Sequence, residues 1–259
     1  MRIIDAHVHI FPPFFKKEFP SLFPKTNLNV NHLLRIMDRN GIDLSILQPL
    51  QIDKNLHVPN AFVMDVSNRF PNRFRWFASL DPRNYEDFPQ LTEYKKCGCV
   101  GLKLYPAIGF FPNDVAFEYL YEEAIKNEMP VLFHTGITFS YPSLNAKYGD
   151  PKYIGKLAES FQELNIIAAH MANPWYDDLI EVMRKNDNVY ADISSCYTIH
   201  PIQKVLNAVG SGKIIFSSDF SGEISDLNVW RSIELVKKFS MENQQRIFHK
   251  NIEILCEIF

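Results

Sequence analysis

Short β-rich apolar runs alternate with helical segments along the whole of this 259-residue sequence. The helical pattern at 31–39 stops at Gly41, a second covers 117–126, and a third at 229–239 carries Lys237 and Lys238 in its last turn, where cations suit the helix dipole. The eight apolar runs are IIDAHVHI from Ile3, LSILQPL from Leu44, FRWFASL from Phe74, CVGLKLY from Cys99, PVLFHTG from Pro130, IIAAHMA from Ile166, VYADIS from Val189 and KIIFSSDF from Lys213. This alternation predicts parallel strands joined by helical crossovers.

The number of strand and helix units favours a closed barrel over an open sheet. Eight such units in about 250 residues are the usual size of a barrel. The ten glycines form neither GxGxxG nor a P-loop, which argues against a dinucleotide or nucleoside triphosphate cofactor. Because no linker or low-complexity tract divides the chain, we expect an α/β fold with a single (β/α)8 TIM barrel domain over residues 1–259.

Charge and composition indicate which kinds of molecule the protein can bind and in which compartment it is expected. The net charge of −3 comes from scattered acids and bases, without the basic stripe that nucleic acid or a membrane surface requires, so we expect a small-molecule substrate. The opening MRIIDAHVHI lacks the apolar segment of a secretion signal, and the four cysteines show no CxxC spacing. We therefore expect a cytoplasmic protein with reduced thiols, and a homodimer is a further hypothesis.

The first apolar run contains two histidines at alternate positions. In a strand, Asp5, His7 and His9 would share one face, while Ala6 and its apolar neighbours would pack under the helices. The first three side chains would then point into the barrel, with His9 nearest the carboxyl end, where barrel enzymes have their active sites. Two imidazoles placed in this way can bind one metal ion. Taken alone, the pair would favour hydrogen-bonded core histidines over a metal site.

Further polar residues stand near the ends of later strands, each after an apolar stretch. They are Lys103, His134, His170, Asp192 and Asp219. Burying so many ionisable groups would cost several kcal/mol each without partners, whereas a divalent cation compensates imidazoles and a carboxylate together. Three histidines and one aspartate suit zinc, and manganese, iron or cobalt are alternatives.

At this point the sequence resembles a known family. The opening IIDAHVHI is followed in order by GLKLYP, LFHTG, AAHMA and SSDF, and the chain closes with KNIEILCEIF. This order is similar to that of the amidohydrolase-2 branch of the amidohydrolase superfamily and spans nearly the whole chain. Its most specific part is the combination of HxH on strand one, histidines on strands five and six, and aspartate on strand eight.

The resemblance implies roles for individual residues. His7, His9, His134 and Asp219 would hold one catalytic metal and leave a coordination position for water. Such a water has a pKa lowered towards neutrality. Asp219 would accept its proton and pass it to the leaving group, and His170 would act as general acid/base or polarise a substrate oxygen.

The resemblance gives Lys103 two different roles. In binuclear relatives a strand-four lysine is carbamylated and bridges two metals, and His134 and His170 would then bind the second ion. In mononuclear relatives Lys103 would stay a cation that binds a substrate carboxylate. We favour one metal and substrate binding, and a lysine that extends to the rim without a function is the third possibility.

Two further groups are weaker candidates. Asp192 and Ser194 share a face and are expected to support the ligands rather than to react, and Asp5 is expected to orient the strand-one histidines from below. The loops contribute FPPFFKKEFPSLFP after strand one and also Phe110, Phe111, Phe139 and Tyr141. They would line a pocket for an aromatic or apolar acyl substrate, with Lys16, Lys17 or Lys103 on its carboxylate, or form a lid or dimer contact.

The favoured function is hydrolysis of an amide, lactone or ester-like bond in a small molecule. The alternative is a metal-dependent non-oxidative decarboxylase acting on a small aromatic or unsaturated carboxylic acid, because some relatives with this ligand set release carbon dioxide. A phosphoesterase or nuclease is disfavoured, since related HxH barrels usually carry a glutamate where Lys103 stands. A barrel with a purely structural metal is disfavoured by the complete set of site residues.

Overall fold

The computed structural model describes residues 1–13, 30–52, 57–137, 144–221 and 225–259. Within these residues, eight parallel strands form one sheet in chain order. The strands are β1 (Ile4–Val8), β2 (Leu44–Leu47), β3 (Phe74–Ser79), β4 (Cys99–Leu104), β5 (Val131–Phe133), β6 (Ile166–Ala168), β7 (Val189–Asp192) and β8 (Ile214–Ile215). The predicted number, order and direction of the strands are confirmed.

The two edges of this sheet meet between β1 and the segment that follows β8. Asp219 N donates to His7 O at 3.0 Å, and His9 N donates to Phe220 O at 2.7 Å. These bonds join the two edges into a nearly closed barrel, and they satisfy backbone groups that an open edge strand would expose. The α/β TIM-barrel prediction is confirmed.

Helices follow the strands and pack against the barrel. They are α1 (Val30–Asn40), α2 (Asn60–Arg69), α3 (Gln90–Lys96), α4 (Glu118–Lys126), α5 (Pro151–Ser160), α6 (Tyr176–Lys185), α7 (Ile199–Val209), α8 (Ser225–Val236), α9 (Met241–Gln245) and α10 (Asn251–Cys256). A π-helical turn (Arg246–Lys250) joins α9 to α10. Across the described part of the chain, none of these helices combines the length and apolarity that a membrane span requires.

Shorter elements occupy the connections. The 3₁₀ turns are Tyr85–Asp87, Pro106–Ile108, Val115–Phe117, Ala146–Gly149, Ala169–Ala172 and Ser211–Lys213. An antiparallel pair of two-residue strands, Leu50–Gln51 and His57–Val58, follows β2 and was not predicted. It lies at the carboxyl end of β2, on the face where the polar residues gather.

Two apolar cores result from the alternation along the strands. The larger core lies between strands and helices. The smaller core fills the barrel interior and includes Ile4, Ala6, Leu44, Ile46, Phe77, Leu132, Ile167, Ala169 and Ile215. Helix α10 adds Ile252 and Leu255 to it at the amino ends of the strands, where Asn251 Nδ2 donates to Ile214 O at 2.7 Å. The interior is therefore sealed at one end by apolar packing.

The strict alternation predicted for β1 does not hold. Ala6 packs with the barrel interior rather than under the helices, and the register against β2 shifts between Asp5 and Val8. The carboxylate of Asp5 therefore bonds mainly to Ser218, and its contact with His7 is a long one of 3.4 Å from the backbone N. Asp5 thus contacts His7 through the His7 backbone, because an irregular strand breaks the two-residue period, and its role in orienting the strand-one histidines stays a prediction.

Candidate metal centre at the carboxyl ends of the strands

Side chains from β1 and from the segment after β8 form the centre of the site. His7 Nε2 and His9 Nε2 lie 3.2 Å apart, and each is 3.7 Å from Asp219 Oδ1. These three ligand atoms lie within 4.8 Å of one another, close enough to hold one ion. The structure thus brings together three of the four predicted metal ligands.

Hydrogen bonds fix the tautomers of the two β1 histidines. His7 Nδ1 lies 2.9 Å from Asp192 Oδ2, and His9 Nδ1 lies 3.0 Å from the carbonyl of Gln48. A carbonyl and an ionised carboxylate only accept, so each Nδ1 carries the proton and each Nε2 keeps its lone pair. Burial, helped by the charge of Lys103, lowers the pKa of His7 to about 4 and that of His9 to about 3. Both rings are neutral at pH 7, the form that binds metals.

Asp192 is fully buried and collects hydrogen bonds from three residues. Besides His7, it accepts from His170 N at 2.9 Å, from Ser194 N at 3.0 Å and from the Ser194 hydroxyl. Burial by itself would raise the pKa of Asp192, but the His7 hydrogen bond and the other donors hold it below its usual value. Atoms of Asp192, His7 and His170 also lie close enough to hold an ion, but we assign them to the hydrogen-bond network because Asp192 already accepts the His7 proton.

His134 lies beside this network. Its Nδ1 is 3.3 Å from His170 Nε2, and its buried Nε2 has no hydrogen-bond partner among the described residues. Burial, together with the neighbouring His170 and Lys103, lowers the pKa of His134 well below its usual value. A buried polar atom without a partner calls for an explanation, and a divalent metal would supply one. The donor set of neutral imidazoles and a carboxylate fits such an ion.

The backbone at His170 and Asp219 is not extended, although both residues were predicted at strand ends. Their φ angles are 59° and 56°, in the left-handed region. Asp5 holds the second of these turns, since its two carboxylate oxygens accept from Ser218 N at 2.9 Å and Ser218 Oγ at 2.5 Å. Such conformations cost about 1–3 kcal/mol and persist where the surroundings fix them, commonly at functional sites.

The turn that carries His170 also rests on the loop after β5. Thr135 Oγ1 donates to Ala169 O at 2.5 Å, and Gly136 has a φ of 81°. A Cβ on Gly136 would lie only 2.4 Å from the carbonyl oxygen of Asn173, so no other residue fits there. The HTG portion of LFHTG therefore positions His170 relative to His134.

Lys103 lies among the histidines rather than at the rim. Its side chain is fully buried, with Nζ 3.2 Å from His7 Nε2 and 4.9 Å from the ring centroid of Tyr105. Burial lowers the pKa of Lys103 to about 8. The same Tyr105 ring stacks on His134 at 5.7 Å between centroids. The hypothesis of a lysine that only extends its head to solvent does not fit this position.

Gln48 is the main site residue that the sequence prediction missed. It is fully buried, its backbone carbonyl accepts from His9, and its side-chain Nε2 donates to Ala6 O at 2.9 Å. The signal was present, because Gln48 is a polar residue at the end of the apolar run LSILQPL, the same pattern that identified Lys103. Glutamine does not ionise, so the cost of burying a charge, which singled out the other strand-end residues, does not apply to it.

The aromatic pocket predicted from the loops finds little support in the described residues. Phe110 is buried against Phe117, and Phe111 packs on Tyr148 and Tyr153 with centroids 4.7 and 4.6 Å away. The remaining members of that prediction lie outside the described residues: the loop after Pro13, including Lys16 and Lys17, and also Phe139 and Tyr141.

A nearly closed barrel with histidines and an aspartate at its carboxyl end defines a class of metal-dependent barrel enzymes. The family model described as Amidohydrolase (Amidohydro_2) matches residues 4–255, so this chain belongs to the amidohydrolase-2 family. No curated protein sequence matches the chain significantly.

Solved structures agree on the fold across the whole length. An uncharacterized TIM-barrel protein from Bordetella bronchiseptica has a TM-score of 0.82 and 18% identity, with 98% of each chain covered. A dihydroxybenzoic acid decarboxylase from Polaromonas sp. JS666 with bound manganese has a TM-score of 0.74 and 16% identity, covering 99% of this chain and 97% of that one. A probable 2-pyrone-4,6-dicarboxylic acid hydrolase from Acinetobacter baumannii has a TM-score of 0.71 and 17% identity, with 100% of both covered.

Proposed function

We propose that residues 1–259 act as one metal-dependent hydrolase domain that cleaves an amide, lactone or ester-like bond in a small molecule. His7, His9, His134 and Asp219 would hold one divalent metal, with zinc the expected ion. The observation that carries this proposal is the convergence of two imidazole lone pairs on Asp219 Oδ1, at 3.7 Å from each Nε2. Membership of the amidohydrolase-2 family supports it.

When bound, a divalent metal would supply a water whose pKa is lowered towards neutrality. Asp219 is suited to accept the proton of that water, because its side chain is 29% exposed and its Oδ2 is held by Ser195 Oγ at 3.3 Å. The same carboxylate would then deliver the proton to the leaving group. His170, next to His134, would act as general acid/base or polarise the substrate oxygen.

A second candidate function is non-oxidative decarboxylation of a small aromatic or unsaturated carboxylic acid. The observation that favours it is Lys103, a buried amine 3.2 Å from His7 that would offset the charge of a substrate carboxylate. The solved structures with this fold include enzymes named as decarboxylases and one named as a probable hydrolase.

The two reactions differ in where water goes. Metal-loaded protein would be incubated in ¹⁸O-labelled water with a panel of lactones, amides and aromatic acids, and the products analysed by mass spectrometry. Hydrolysis places one labelled oxygen in the organic product, whereas decarboxylation releases carbon dioxide and leaves the organic product unlabelled. Asp219→Asn is the control for background reaction. Carbon dioxide without labelled product would overturn the hydrolase proposal, and no turnover of any substrate by metal-loaded protein would count against both.

A further inference from the structure

The hydroxyl of Ser194 sits between an anion and a histidine. Asp192 Oδ1 already accepts from two backbone N–H groups, those of His170 at 2.9 Å and Ser194 at 3.0 Å, so its short contact with Ser194 Oγ must use the serine hydrogen. A second contact joins the same Oγ to His170 Nδ1 at 2.7 Å. Since its only hydrogen is committed to Asp192, Ser194 Oγ accepts there, and His170 Nδ1 carries a proton.

The proton position on His170 also determines the tautomer of His134. In neutral His170, a proton on Nδ1 leaves a lone pair on Nε2. His170 Nε2 lies 3.3 Å from His134 Nδ1, so the contact requires a proton on His134 Nδ1. The lone pair of His134 then lies on Nε2, the buried atom that has no partner among the described residues.

The route through Ser194 is separate from the direct support of His7. His7 Nδ1 is closer to Asp192 Oδ2, at 2.9 Å, than to Ser194 Oγ, at 3.4 Å. One carboxylate oxygen thus serves His7 directly, while the other serves His170 through the serine. Asp192 orients both sides of the site from one buried charge.

We propose that Ser194 is a positioning residue that sets the tautomers of His170 and, through it, of His134, so that His134 Nε2 is ready to bind a metal. The metal part of this inference rests on the proposed function. The tautomer part rests only on the contacts of Asp192, Ser194, His170 and His134 in the protein itself.

The tautomers are measured directly on metal-free protein. Long-range ¹H–¹⁵N spectra of imidazole-labelled protein at about pH 8, above the usual histidine pKa, distinguish Nδ1–H from Nε2–H. In the wild type we expect Nδ1–H on both His170 and His134. In Ser194→Ala the acceptor is lost, and we expect Nε2–H signals to appear for both rings. Ser194→Thr keeps the hydroxyl and should restore the wild-type pattern.

Metal binding gives an independent readout. Competition for Zn²⁺ with a chromogenic chelator should show a dissociation constant raised about 10- to 100-fold in Ser194→Ala, the usual effect of losing a supporting hydrogen bond, and recovery in Ser194→Thr. Ser217→Ala is the matched control. Its buried hydroxyl accepts from Ser194 N at 3.0 Å, and that N–H keeps its second acceptor on Asp192. It should leave the dissociation constant within about twofold.

The outcomes separate the two proposals. Nε2–H on His170 of the wild type, or unchanged ring signals in a folded Ser194→Ala, would overturn the role of Ser194. An affinity loss of equal size in Ser217→Ala would overturn it as well, because packing alone would then explain the effect. If the tautomers change as expected in Ser194→Ala but the wild-type protein binds no Zn²⁺, the positioning role of Ser194 would be supported and the proposed metal site refuted.

Discussion

The two halves of the barrel interior are built on the same strand faces and differ in what fills them. Towards the amino ends, Gly101 on β4 lies against Phe77, so closely that a Cβ would come within 2.5 Å of the ring. Two residues further along β4, Lys103 is equally buried and contacts His7. The first half is held by apolar packing and the second by hydrogen bonds. Residues that stabilise the barrel and residues suited to chemistry therefore occupy different positions along the same strand.

The apolar and polar halves of the interior also differ in how well their residues tolerate substitution. An apolar interior residue such as Leu132 or Phe77 is held by many weak contacts, and a residue of similar volume can replace it. A polar residue such as Asp192 has a defined donor for each of its carboxylate oxygens, so even an isosteric change removes a specific partner. Substitutions of Phe77, Asp219, Gly136 and Lys103 test this comparison.

The largest effect on stability is expected in the apolar half. Phe77→Ala removes a fully buried ring and should lower the free energy of unfolding by about 3–5 kcal/mol, measured by urea denaturation of metal-free protein. Phe77→Leu, which keeps most of the volume, should cost clearly less. The Zn²⁺ dissociation constant of the folded fraction should stay unchanged. A large loss of metal affinity in Phe77→Leu would show that the two halves are coupled.

The opposite pattern is expected for Asp219→Asn. The change removes the ligand charge, and asparagine tolerates the φ of 56° at this position. We expect Zn²⁺ affinity to fall by about a hundredfold, roughly 3 kcal/mol as one share of a four-ligand site, with little change in metal-free stability. Elemental analysis should find about one metal per wild-type chain and much less in the variant. Full metal content in Asp219→Asn would remove this residue from the ligand set.

A smaller loss of stability is expected for a substitution that strains the backbone and does not remove a metal ligand. Gly136→Ala should lower the free energy of unfolding by about 1–3 kcal/mol, because alanine disfavours a φ of 81° and its Cβ would meet the backbone of Asn173. It should also weaken Zn²⁺ binding by displacing His134 against His170. Gly41→Ala, with a φ of 66° but nothing within 4 Å of the added Cβ, is the control for strain without collision. Equal metal affinity in both variants would argue against a role for Gly136 in positioning.

The smallest effect on stability is expected at Lys103. Lys103→Met replaces a fully buried amine by an apolar chain of similar length, so metal-free stability should stay within about 1 kcal/mol of the wild type or rise. Lys103→Ala opens a cavity and should be less stable than Lys103→Met. Metal content should remain near one per chain in Lys103→Met. A fall from two metals to one would instead indicate a carbamate bridge between two ions.

The local pattern of the sequence determined the strands and most of the candidate site. A polar residue at the end of an apolar run is visible without knowing its neighbours. Lys103 and Asp192 lie in the last two positions of β4 and β7, and His134, His170 and Asp219 lie in the segments that follow β5, β6 and β8. The order of the strands followed as well, because parallel units joined by short crossovers pack next to one another.

Only the tertiary structure decided how those residues are oriented. The β1 irregularity that turns Asp5 to Ser218, and the left-handed backbone at His170 and Asp219, depend on neighbours in other strands. The proton positions depend on contacts such as His7 with Asp192, which are 185 residues apart in sequence. Periodicity in a sequence reports which face a residue occupies, whereas hydrogen-bond direction is set by the partner across the barrel, and no single strand carries that information.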